Sequence, residues 1–223
     1  MKVLTRTKPL REHIFRFVEH KGRKVLLTIH FYKLSHVLRK IKKPEEWVWA
    51  YMSYKHAKVV FDRNQNMEKL KAELEKHEVS PEDFFKFVPV EASYLPEYIG
   101  KLKNAYLEKD ELNVIYAARS VAEICYAILK PFNPVWKYAS ERETYRAFLE
   151  LKNKPRHYVE DFKMCYGLTM KERTMNDIYK SAIRLAKETT DFLRKSKIET
   201  KIKDKEFLHF FKSKEYTDFL KVI

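Results

Sequence analysis

Glycine is almost missing from this chain. Its 223 residues hold three, Gly22, Gly100 and Gly167. Phosphate-cradling loops need glycines close together, so Walker and GxGxxG loops are excluded, and there is no GxSxG elbow. Cysteine is equally scarce. Cys125 and Cys165 fall inside helical patterns and read as two buried thiols, with no CxxC or Cys/His metal spacing. The eight histidines make no ligand set either. His13 and His20 are seven apart and could share a helix face, but no carboxylate or thiol joins them as a ligand set, and His30 and His36 flank different elements. Neither a metal nor a cofactor is expected. No apolar run approaches the roughly 18–20 residues of a bilayer span. The opening Met1-Lys2-Val3-Leu4-Thr5-Arg6 is too polar for a signal peptide, so a cytoplasmic protein without membrane association is expected. Glutamine occurs once, at Gln65, amid abundant Lys, Glu and Arg, a balance that suggests a thermophile.

What is abundant is positive charge. The net charge is +15, and it is unevenly spread. Residues 1–43 hold thirteen Lys and Arg against Glu12 and Glu19, a net of +11. Arg11, Arg16, Lys21, Arg23, Lys24, Arg39 and Lys40 make up a candidate basic patch. Such a segment suits a phosphate-bearing ligand, a nucleic acid or an acidic protein partner.

Periodicity sets the expected organisation. Residues 2–6 read as a short strand, and 9–20 as a short helix with Leu10, Ile14, Phe17 and Val18 on one side, closed by Gly22. Residues 24–31 alternate as a strand, 32–41 return to helical spacing, and 57–61 read as a second strand. The turn at 62–66 precedes a charged helix over 67–78. From Ser80 onward only helices are expected. One starts at Ser80-Pro81-Glu82-Asp83, and the others cover about 95–109, 111–130, 141–152, one opened by Pro155 and ending near Gly167, 169–195 and 207–220. The fold class is therefore α+β, predominantly α: a small strand-helix unit over 1–79, then an antiparallel helical bundle over 80–223. The aromatic-rich 45–54 segment offers a surface for a homodimer.

The 111–130 helix carries two stripes. Val114, Ile115, Ala118, Val121, Ala122, Cys125, Ile128 and Leu129 form the apolar one. Tyr116, Arg119, Glu123, Tyr126 and Lys130 recur beside it, and Arg119 and Glu123 have the spacing of an i,i+4 ion pair. This polar stripe is either one wall of a ligand groove or a solvated face. Helical-bundle ribonucleases of the HEPN type need an Arg and a His at a set spacing. Here six residues past Arg119 lies Cys125, and Arg156 and His157 are adjacent, so such cleavage is not expected.

The stretch from Tyr116-Ala117-Ala118-Arg119 through Glu123 to Pro134-Val135-Trp136-Lys137-Tyr138 resembles the helical C-terminal domain of nucleotidyltransferases of the kanamycin-nucleotidyltransferase kind. The order of elements over residues 20–195 is similar as well. The resemblance implies a substrate-binding bundle whose groove would use Tyr116, Arg119, Glu123, Lys137 and Tyr138. It also implies a Gly-Ser helix start and an Asp-x-Asp strand, whose carboxylates hold two magnesium ions. Neither element is present. The strand at 2–6 has no acid, and neither does 24–31. No catalytic residue is therefore assigned. The first expectation is a noncatalytic nucleotidyltransferase-like protein that binds a ligand or partner. The alternatives are a nucleic-acid-binding protein using the basic segment, or a magnesium-dependent transferase that lacks its N-terminal portion in this sequence.

Overall fold

The structure is a computed structural model that describes residues 2–5, 13–42, 54–55, 57–62, 64–76, 85, 87–133, 146–169, 172–196 and 205–221. These residues fall into two units, Met1–Val79 and Ser80–Ile223.

The first unit is built on a three-stranded sheet in the order β1-β3-β2. Strand β1 (Lys2–Thr5) runs parallel to β3 (Arg23–Lys33), and β2 (His13–His20) pairs antiparallel with it. The expected helix over 9–20 is thus overturned in its described part. Ile14, Phe15, Phe17 and Val18 are β-branched or aromatic, and each finds a cross-strand partner in β3, which decides for strand over helix. Gly22 does not cap a helix. Lys21 and Gly22 both adopt positive φ, 51° and 70°, as the two central residues of a hairpin turn require.

Among the described residues of this unit are the helices α1 (Leu34–Ile41) and α2 (Asn66–Lys76). Leu34, Val37, Tyr54, Leu70 and Leu74 are buried as a small core. Burial pushes the Tyr54 hydroxyl up to about 12, with Tyr32 adding to it. The strand expected at 57–61 does not form. Val60 and Phe61 are exposed, and the segment pairs with no described strand, so its β-forming side chains have no sheet to join. Asp62 instead caps α2, accepting from the Asn66 and Met67 amides at 2.8 and 2.6 Å.

The second unit is a bundle of α3 (Val88–Leu107), α4 (Glu111–Leu129), α5 (Tyr158–Tyr166) and α6 (Met175–Lys195), followed by the short α7 (Lys205–Lys212) and α8 (Lys214–Phe219). Helix α4 lies at its centre, against α3, α5 and α6. Val114, Ala118, Val121, Ala122, Cys125, Ile128 and Leu129 are all fully buried, and the small side chains among them permit close approach. With the 3₁₀ turn at Lys130–Phe132, this helix does have the length and apolar content of a bilayer span, contrary to the sequence expectation. More than half of it is buried inside the protein, as in the core helix of a bundle.

Three helix boundaries move from their expected places. Helix α3 begins well before Leu95 and runs through Pro96. The full burial of Ala92, Leu95, Ile99 and Leu102 outweighs the roughly 3 kcal/mol that an interior proline costs. Helix α6 begins at Met175, because Thr174 and Asp177 form a reciprocal capping box. The helix expected over 141–152 is not helical past Ala147. Its start, like residues 77–84, lies outside the described residues. Gly167 closes α5 as expected, with φ 71°.

Candidate functional site

An open groove of about 600 Å³ runs between α3 and α4. Helix α3 contributes Glu91, Tyr94 and Tyr98 to it, and α4 contributes Tyr116, Arg119 and Glu123. Ser120, Ile124 and Ala127 of α4 complete the lining. The polar stripe of α4 becomes one wall because the apolar stripe beside it is committed to the bundle. The opposite wall arises because Glu91, Tyr94 and Tyr98 recur three and four residues apart, one helical face.

The Arg119 Nε donates to Glu123 Oε1 at 3.2 Å, so the pair expected at this spacing does form. The same carboxylate oxygen accepts the Tyr166 hydroxyl from α5 at 2.8 Å. The Arg119 guanidinium lies 5.1 Å from the Tyr166 ring centroid. One carboxylate thus orients a cation and a phenol at the groove's rim. Its hydrogen bond to Glu123, more than any other cause, raises the Arg119 pKa further. Burial, and then the bond to Glu123, raises that of the Tyr166 hydroxyl.

Glu91 is half-buried. Burial raises its carboxyl pKa, and the nearby Lys130 ammonium works against that rise. Lys130 follows the same logic in reverse. Burial lowers it to about 8, against the pull of Glu91. Its ammonium sits 5.9 Å from the Tyr126 ring centroid. On the α3 rim, Lys101 lies 4.5 Å from the Tyr98 ring and donates to Glu97 at 2.6 Å.

Of the residues singled out from sequence, Tyr116, Arg119 and Glu123 share this groove. Lys137 and Tyr138 lie outside the described residues. Tyr126 is buried in the bundle and is not on the groove surface. Glu91, Tyr94, Tyr98 and Tyr166 were missed. The first three carried a legible signal, their helical spacing. Tyr166 carried none, since only the packing of α5 brings it to Glu123. In the basic patch, Arg16, Lys21, Arg23 and Lys24 are exposed on the β2–β3 hairpin. Arg39 and Lys40 lie on α1, and Arg11 is outside the described residues.

The two-magnesium centre implied by the resemblance does not fit the residues present. Strands β1 and β3 carry no Asp or Glu. Among the described residues no three His, Cys, Asp or Glu side chains converge as a metal site.

Residues 91–195 match the family model described as "Nucleotidyltransferase, substrate binding domain". The crystal structure of a nucleotidyltransferase-like protein from Exiguobacterium sibiricum 255-15 is similar at 15% identity, with a TM-score of 0.42, over 97% of this chain and 74% of that one. No curated protein matches the chain.

Proposed function

From the match of residues 91–195 to the family model of a nucleotidyltransferase substrate binding domain, we propose a noncatalytic role for this chain. It binds a small ring-bearing ligand, rich in hydroxyl or amino groups, in the groove between α3 and α4. The observation that carries this reading is the groove's lining: Tyr94, Tyr98 and Glu91 on α3, across from Tyr116 and Glu123 on α4. Tyrosine faces favour flat or cationic groups, and carboxylates accept hydrogen bonds from hydroxyls and ammonium groups. The one arginine is already paired to Glu123, so the groove has little to offer a phosphate dianion. The lack of acids on β1 and β3 supports binding without nucleotidyl transfer.

Calorimetric titration with glucosamine, choline and inorganic phosphate tests the reading. Glucosamine and choline are expected to bind and phosphate is not. A variant carrying E91Q and E123Q is expected to lose about tenfold in affinity, which is about 1.4 kcal/mol. Binding that survives this change intact, or phosphate as the tightest of the three, would exclude the groove reading. Incubation with ATP and magnesium is expected to give no nucleotidylated product by mass spectrometry.

Lys130 adds a pH dependence. It loses its proton near pH 8, leaving Glu91 without its compensating charge. Choline has a fixed charge, so its affinity is expected to rise about fivefold between pH 7 and pH 9. The variant K130M should bind choline with no such rise. A wild-type affinity that is flat or falls over this range contradicts the coupling.

A further inference from the structure

The hairpin of β2 and β3 has an unusual surface. Strand β2 is exposed over most of its length and β3 over its first four residues, and large apolar side chains stand in water there. Phe15 is 61% exposed, Phe17 66% and Leu26 52%. Residues paired across the ladder share a face. The register pairs His13 with His30, Phe15 with Thr28, Phe17 with Leu26 and Glu19 with Lys24. One face of the hairpin therefore carries the two phenylalanines and two histidines together with Lys24 and its cross-strand partner Glu19. The His13 ring is 5.7 Å from that of Phe15 along the strand and 5.9 Å from that of His30 across the ladder, by centroid. The Lys24 ammonium sits 5.0 Å from the Phe17 centroid.

We propose that this face is a stacking platform for single-stranded nucleic acid. Phe15 and Phe17 are two residues apart on one strand, about 7 Å along it, so each ring can take its own base. Aromatic side chains on an open sheet recognise unstacked bases in this way, because every base has a face to offer. The hairpin as a whole is complementary to a phosphate chain. On the platform face Lys24 stands across from the acid Glu19, Lys21 sits at the turn, and Arg16, Arg23 and Lys33 alternate to the other face of the ribbon, a net of +4 over residues 13–33. That same charge argues against a second copy of the chain as the occupant, since two such hairpins brought together repel. A duplex is also disfavoured, because its stacked bases cannot reach the rings.

Fluorescence anisotropy of the full chain with a labelled twelve-nucleotide oligouridine, and with a duplex of equal length, tests the proposal. Single-strand binding is expected at about 50 mM salt, tighter than duplex binding, and weakening steeply by 200 mM. A variant carrying F15A and F17A is expected to lose tenfold or more in single-strand affinity with an unchanged salt slope. Both side chains are exposed, so the variant should keep the wild type's circular dichroism spectrum at 25 °C, its melt lowered only by the loss of two cross-strand pairs. K21A with R23A should instead flatten the salt slope. Undetectable binding at low salt, equal affinity for duplex, or an unaffected phenylalanine variant would each overturn the platform. So would a wild-type dimer in sedimentation that F15A and F17A dissociate, which would make the face a self-association surface. The groove variant E91Q/E123Q should bind oligouridine normally, so failure here and failure of the groove reading are separable.

Discussion

Replacing Asn133 with alanine is expected to lower stability by about 3 kcal/mol. Asn133 is 1% exposed and sits just past the 3₁₀ turn that ends α4. Its amide nitrogen donates to the Leu129 carbonyl and to the Asn153 carbonyl, each at 2.9 Å. Its amide oxygen accepts from the Lys152 and Asn153 backbone N–H groups, again at 2.9 Å each. One side chain thus satisfies four backbone groups across some twenty residues of sequence. Truncation leaves those groups short of partners in a place with little room for water. Asn133→Asp separates hydrogen bonding from space filling. It keeps the volume, loses both donated bonds, and sets a carboxylate against two carbonyl oxygens. It is expected to cost at least as much as alanine. Urea unfolding followed at 222 nm measures both. A loss under about 1 kcal/mol for either variant would show that Asn133 does not pin this loop.

Arg184→Ala is expected to cost about as much, roughly 3 kcal/mol at neutral pH, and the cost should shrink in acid. Asp161 has no solvent-exposed side-chain surface. Arg184 reaches from α6 with Nε 2.8 Å from Oδ2 and Nη2 2.5 Å from Oδ1, a bidentate pair. Burial raises the Asp161 pKa even so, and Arg184 pulls it back down. Without the guanidinium, the carboxyl must either remain as an unpaired buried charge or take up a proton on folding.

The sign of the pH effect follows from that uptake. A folded pKa above the unfolded value near 3.9 means that the folded state holds the extra proton. The stability linked to this group is then complete below the unfolded pKa and is lost as pH rises through the folded one. In the Arg184→Ala variant the folded pKa is higher still, so the deficit against wild type should be largest near pH 7 and smallest near pH 4. Thermal melts across that range measure it. A deficit constant with pH would mean that the arginine acts through packing alone. Adding Asp161→Asn to Arg184→Ala should recover about 2 kcal/mol, since the amide carries no charge to desolvate.

Both anchors show where the sequence was legible and where it was not. The turn at Pro131-Phe132-Asn133-Pro134 already marked the end of a helix, because proline cannot continue it. That Asn133 ties this turn to Lys152 and Asn153 is a contact between distant segments, which local patterning does not encode. Arg184 and Asp161 each sat in a plain amphipathic helix, and only the packing of α5 on α6 makes them a pair. In the groove, Arg119 and Glu123 were readable because an i,i+4 pair lies within one helix. Tyr166 was not, since it reaches Glu123 across the sequence.

The sequence by itself determined the helical character of the second unit, the buried stripe of α4 and the scarcity of acids on the first strands. These depend on periodicity and composition, which are local properties. It did not decide between helix and strand for His13–His20, where four apolar residues fit either period. There the decision came from β3, whose paired side chains and amides reward the extended form. Nor did it deny Ala57–Phe61 the strand that its propensity favours. Only the tertiary structure does that, because a strand needs a neighbour to bond to and a helix bonds to itself.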